Sequence, residues 1–262
     1  EDAHGTNVAI GKSALQNLNA GADAFNTAVG HEAGLTMTTG TNNILVGANA
    51  GDALTGGSLN VAIGRHALGT EDTGNRNTAI GHGSLSTLNF AGNGYNTAVG
   101  YNSGGVLSTG TENTIVGGDA GDALTGGARN VVMGYGALGS EDDHGRNVAI
   151  GHSALFALNA GADAYNVAVG YAAGNAVVTG LYNTILGAEA LLTNIDGDNN
   201  TAIGYQALKS FEADTDGHGK NTAVGSNAMR DATTGANNTA VGYAAMGTGV
   251  TTGDHNVALG HD

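Results

Sequence analysis

A five-residue pattern runs through the chain: Asn, then Val, Thr or Ile, then usually Ala, then an aliphatic residue, then Gly. Side chains of a strand point alternately to its two faces. In Asn26-Thr27-Ala28-Val29-Gly30, Thr27 and Val29 therefore share one face, and Asn26, Ala28 and Gly30 share the other. Each occurrence predicts a short strand with an aliphatic rank on one face. The small residues of the other face let a second layer of backbone approach closely. The motif Gly supplies a sharp bend or a positive φ that a Cβ would resist. Three residues beyond it comes Ala or Ser, as at Ala14, Ala33, Ser84 and Ala245, and the next position is Leu, Gly or Met. A Gly-rich loop such as Met37-Thr38-Thr39-Gly40 then leads back to the next Asn.

The motif Asn occurs fifteen times, at Asn7, Asn26, Asn43, Asn60, Asn77, Asn96, Asn113, Asn130, Asn147, Asn166, Asn183, Asn200, Asn221, Asn238 and Asn256. Most steps are 17 or 19 residues, and Asn7, Asn77 and Asn147 are each 70 apart, so four coils form a super-repeat. A fixed short period is the signature of a solenoid. Seventeen residues are too few for a helix plus two strands and suit two short strands and two turns. The expected fold is all-β: a parallel β-roll solenoid of about fifteen 17–19-residue coils. Coils stacked about 4.8 Å apart predict a rod of roughly 70 Å. One repeat domain is expected over 1–262, with super-repeats at 7–76, 77–146, 147–220 and a partial one at 221–262. The chain opens inside the pattern and reads as a fragment of a longer fibre. A coil this thin is expected to need a cover for its Thr/Val and Ile/Val face, which self-association about the rod axis would provide. Periodicity alone does not specify the number of copies.

Composition sharpens this picture. Gly numbers 47, and there is no Pro, Cys or Trp. Leu, Ile, Val and Phe make up just under one-fifth of the chain, a level typical of disorder unless those residues are placed regularly, as they are here. The formal charge of −15 disfavours nucleic acid and anionic membrane surfaces as partners. The absence of Cys excludes disulfides and thiolate metal sites. No apolar run is long enough for a membrane-spanning helix.

Asn-Thr-Ala-Val-Gly-x-x-Ala resembles the head repeat of trimeric autotransporter adhesins of the YadA type, whose heads carry Val-Ala-Ile-Gly-x-x-Ser/Ala motifs on a left-handed parallel β-roll. The run Asn200-Thr201-Ala202-Ile203-Gly204-Tyr205-Gln206-Ala207-Leu208 is similar to repeats of phage-type tail fibres. The resemblance covers essentially the whole chain. It implies a left-handed roll, a homotrimer and an adhesive or structural role, outside the cell, on a bacterial surface or outer-membrane-attached fibre or on a virion tail. Adhesin heads have tighter repeats, near fourteen residues, so the loops here are longer. Neck, coiled-coil stalk and membrane anchor are not within this sequence.

Several residues are candidates for contact with a host-cell surface protein or glycan. The position after the motif Gly holds Tyr101, Tyr135, Tyr171, Tyr205 and Tyr243, with His31, His82, His152 and His261. This is a packing column at the roll edge or between protomers, or else an aromatic stripe that stacks on sugars. The longer coils place Phe25, Tyr95 and Tyr165 just before the motif Asn, either as part of a binding face or as plugs under a wider loop. The irregular insert from Lys209 to Lys220, with Phe211, Glu212, Asp214, Asp216 and His218, is the expected protruding loop. Glu71-Asp72, Glu141-Asp142-Asp143 and Asp196-Gly197-Asp198 read as solvated surface charge, with calcium a minor alternative. No metal site and no cofactor are expected. The motif Asn column reads as structural, its stacked side chains satisfying turn backbone.

No nucleophile elbow, phosphate loop or metal-protease His pair is present, so catalysis is not expected. The expected function is a structural and adhesive segment of a trimeric surface adhesin or tail fibre. A passive fibre spacer and an ice-binding solenoid are the alternatives. Flat Thr arrays could match ice, but Val and Ile interrupt the Thr rank.

Overall fold

The computed structural model describes residues 6–212, 219–249 and 252–261. Among them every motif forms a three-residue strand and no helix occurs. The chain divides into two compact units, Glu1–Arg129 and Asn130–Asp262. In the first, seven strands from Val8–Ile10 to Thr114–Val116 pair in parallel and in chain order. Each residue lies opposite its counterpart one coil on, as in Thr27 with Ile44, Ala28 with Leu45 and Val29 with Val46. In the second, eight strands from Val131–Met133 to Val257–Leu259 do the same. Both units are parallel β-solenoids.

Among the described residues each coil contains one strand, not the two expected. The return side is a chain of turns in which non-glycine residues adopt left-handed backbone: Ser13 (φ 60) and Leu15 (φ 49) in the opening coil, Glu32 (φ 57) in the next. These residues still hydrogen-bond between coils. Glu32 N–H donates to Lys12 C=O at 2.9 Å, and Gly34 N–H to Ala50 C=O at 3.0 Å. Backbone pairing thus continues on this side without strand geometry, and the stack of neighbouring coils holds conformations that isolated residues avoid.

The motif Gly is required twice over. Gly30 has φ +144, and a Cβ there would collide with the carbonyl of Gly47 in the next coil. The small face of each strand points inward. Ala28, Ala62, Ala98, Ala168 and Ala223 are fully buried, and so are Leu68, Leu85, Leu155 and Leu208 of the return side. Volumes are matched across this interior. Leu45, Ile115 and Ile185 replace the usual Ala, and Gly34, Gly104 and Gly174 stand where a Cβ would strike them, at 2.8, 2.9 and 2.6 Å. Large residues are thus accommodated by deleting side chains opposite, as close packing requires. The coils between the ends thus bury their Ala and Leu interior within one chain, while the Thr/Val and Ile/Val face stays outside.

A second buried column lies eleven residues after the motif Asn: Met37, Leu54, Leu88, Leu107, Leu124, Leu158, Val177 and Phe211. Phe211 has no exposed surface, so its ring is a core plug and not a contact offered by a protruding loop. Asp214, Asp216 and His218 of that insert lie outside the described residues.

The motif Asn side chains form ladders. Asn43 N–H donates to Asn26 Oδ1 at 2.8 Å, and Asn26 Nδ2 donates to Gly40 C=O at 2.8 Å. The second unit repeats this with Asn200 N–H on Asn183 Oδ1 at 2.8 Å and Asn183 Nδ2 on Gly197 C=O at 2.9 Å. Each buried amide holds its own turn and the next coil together, which offsets the cost of burying it.

Candidate functional site

The outward face of each strand carries its first and third residues. Ile44, Ile63, Met133, Val167, Leu186 and Val241 are between a third and a half exposed. With the interior already closed by Ala and Leu, this face is a rank of apolar side chains left in solvent within each unit.

The residue after each motif Gly also points outward. Tyr101, Tyr135, Tyr171, Tyr205 and Tyr243 are all more than half exposed. The stripe is broken into pieces because Ala48, Ala188 and Ser226 occupy the same position in other coils. His82 stacks on Tyr101 at 5.5 Å, and Tyr135, His152 and Tyr171 form a run with centroids 5.5 Å apart. Tyr243 stacks on His261 at 5.0 Å. Coil spacing brings rings of adjacent coils into stacking range. Tyr205 and His31 are flanked by non-aromatic residues, so the stripe does not bring them into this set.

Phe25, Tyr95 and Tyr165 do not plug the roll edge. Their backbones are left-handed, at φ 53, 51 and 53, and their rings are about half exposed. Arg76 lies over the Tyr95 ring at 5.5 Å and donates through Nη1 to its hydroxyl at 2.9 Å. Arg146 lies over Tyr165 at 5.3 Å. Tyr182, which sequence reasoning passed over because its coil has ordinary length, stacks on Tyr165 at 5.6 Å. Its place just before Asn183 was the available signal.

One stacked pair borders a groove. Asp52, His66, Thr70, His82, Ser86, Tyr101 and Asn102 line a shallow depression of about 370 Å³ in the first unit. Gly69 and Gly83 keep it open by contributing no side chain. Asp52 Oδ1 is buried there without a hydrogen-bond partner. An exposed ring stack beside a carboxylate, an amide and hydroxyls can receive a polar ligand with one apolar face, such as a sugar ring. In the second unit Gly136 and Ser153 occupy the positions of His66 and Gly83, and the Phe156 ring comes within 3.9 Å of where a Gly136 Cβ would stand.

The acidic residues correct the sequence reading. Glu71 and Glu141 are not solvated: each occupies the inner column and is fully buried. Burial is the main cause that pushes both carboxyls above the ordinary glutamate range, against opposing backbone hydrogen bonds. Asp198 accepts from Leu181 N–H at 2.7 Å across coils. On the surface, Glu189 receives Lys209 Nζ at 2.6 Å and Gln206 Nε2 at 2.9 Å, which hold its carboxyl below the ordinary range.

Among the described residues no helix is long and apolar enough to cross a membrane. Comparison with protein-family models finds no match, and no curated protein is significantly similar to the chain.

Proposed function

We propose that the chain is a non-catalytic segment of an extracellular fibre, with a left-handed roll assembled as a homotrimer that presents its stacked rings to a host-cell protein or glycan. The observation that carries this reading is the two-sided strand. Its Ala side is sealed within one chain, while its Ile, Val and Met side is left partly exposed coil after coil. Completing the burial of one such side chain is worth about 1 kcal/mol. A run of them competes with the roughly 4–15 kcal/mol entropic cost of association. Further copies of the same chain match this face, because they carry the same apolar rank at the same spacing. The aromatic pieces and the groove beside His82 and Tyr101 support an attachment role, since exposed rings in fixed stacks bind with little loss of rotamer freedom. The motifs that resemble adhesin heads and tail fibres point to the same setting.

Sedimentation equilibrium tests the assembly. The expected mass is about three times the 25.7 kDa chain. Combining Ile63→Asp, Met133→Asp and Leu186→Asp is expected to give monomers that keep their β spectrum; a wild-type chain that stays monomeric would overturn the trimer. Attachment is tested separately on a glycan array and on cells. Tyr101→Ala is expected to lower binding at least tenfold and to leave the melting temperature nearly unchanged. A trimer that binds no glycan or cell surface leaves the passive spacer as the function.

A further inference from the structure

The coils opening at Asn60 and Asn130 each place a glutamate in the mostly apolar inner column. In the first, the loop satisfies it. Glu71 Oε1 accepts from Gly74 N–H at 2.8 Å and Asp72 N–H at 3.1 Å, and Oε2 accepts from Phe90 N–H at 3.4 Å. In the second, Asp143, His144 and Gly145 stand in place of Thr73, Gly74 and Asn75. Glu141 Oε1 accepts from His144 N–H at 3.3 Å, while Oε2 is buried and accepts no hydrogen bond of ordinary length and angle, the Ala160 backbone being a looser donor to this carboxyl. The Glu141 side chain has no exposed surface, and His144 Nδ1 lies 3.5 Å from its Oε1. That Nδ1 is also buried without a hydrogen-bond partner. One ligand atom each from Glu141, Asp142 and His144 lie within 4.8 Å of one another. A buried polar atom left unpaired costs about 1–3 kcal/mol, so an unsatisfied carboxylate oxygen and an unsatisfied imidazole nitrogen in one cluster call for a partner.

We infer that Glu141, Asp142 and His144 bind a divalent transition cation of the Zn²⁺ class. Two carboxylate oxygens and one imidazole nitrogen suit Zn²⁺, whereas Ca²⁺ and Mg²⁺ take oxygen ligands. Bonds of about 2.0–2.2 Å to three protein ligands require only a small inward movement of the loop and leave a fourth position for water. Binding through Nδ1 places the imidazole proton on Nε2. The cation would tie the loop to the buried column, a crosslink in a chain that has no cysteine.

Calorimetric titration of the chelator-treated full chain with ZnCl₂ tests this, with Co²⁺ absorption as a second readout. Saturable binding at one site per chain is expected, with visible d–d bands from the Co²⁺ form and a melting temperature raised by Zn²⁺. His144→Gly, which restores the residue of the Glu71 loop, is expected to lower affinity at least tenfold, as is Glu141→Gln, with circular dichroism showing the fold retained. Glu71→Gln is expected to leave Zn²⁺ binding unchanged. Absence of saturable binding, or wild-type affinity in His144→Gly, would overturn the site; the latter would move the cation to the exposed histidines.

Discussion

The coils opening at Asn60 and Asn130 lie one super-repeat apart and have the same length, yet they differ on both sides of the chain. Inside, Glu71 is enclosed by N–H donors of its own loop and of the next coil, while Glu141 Oε2 has no donor at ordinary hydrogen-bond length and angle. Outside, His66 lines a groove beside the His82–Tyr101 stack where the second unit has Gly136, and in the coils that follow Ser153 and Phe156 take the positions of Gly83 and Ser86. The difference separates scaffold from cargo. The strand, the motif Gly and the Asn ladder are held constant, and a few loop positions decide whether a buried acid is self-satisfied or open to a ligand. Asn194 shows a third solution in the same column: its Oδ1 accepts from Gly197 N–H and its Nδ2 donates to Gly197 C=O, both at 3.1 Å.

The largest effect is expected where the two coils are the same. Gly64 (φ +134) and Gly134 (φ +130) each face the carbonyl of the following motif Gly. Gly64→Ala and Gly134→Ala are expected to destabilise the protein by about 3 kcal/mol or more in both cases, read from denaturant midpoints. A small or unequal loss would mean that the two coils do not share one backbone path.

A smaller effect, of opposite sign in the two coils, is expected from replacing each glutamate with the leucine usual in its column. Glu71→Leu strips three N–H groups of their acceptor and is expected to cost about 1–3 kcal/mol. Glu141→Leu removes a buried, incompletely paired charge and is expected to stabilise the cation-free protein by about 1–3 kcal/mol. Urea unfolding after chelation measures both, and the same sign in both would erase the contrast drawn from their hydrogen bonds.

The smallest effect is in pH dependence. Burial raises the Glu71 carboxyl above its unfolded value, so the folded state holds this proton more tightly. Its contribution is fully present below the unfolded pKa and is lost as pH rises through the folded pKa. The melting temperature of the wild type relative to Glu71→Gln is therefore expected to fall between acidic and neutral pH. A difference that grows with pH would show that the three backbone donors outweigh burial.

Much of the architecture was legible in the chain. The alternation in Asn26 to Gly30 and the repeat spacing were enough for parallel stacking with residue-on-residue register, because side-chain direction in a strand is a local, covalent property. The single strand per coil was not legible. Leu15 and Glu32 carry no propensity for left-handed backbone and adopt it where flanking coils accept their hydrogen bonds. The aromatic positions could be found by counting from the motif Gly, but their exposure could not. Tyr101 and Phe211 are both aromatic residues outside the strands, and one lies on the surface while the other has no exposed surface.

By itself, then, the sequence determined the period, the pairing and the glycine and asparagine positions, since each follows from bonded geometry repeated at fixed intervals. Only the tertiary structure decided that each chain seals its own interior, that Glu71 and Glu141 sit inside it, and that one of them keeps an oxygen without a close donor. Those properties depend on atoms brought together from residues a full coil apart, and burial and electrostatics are set by that through-space company.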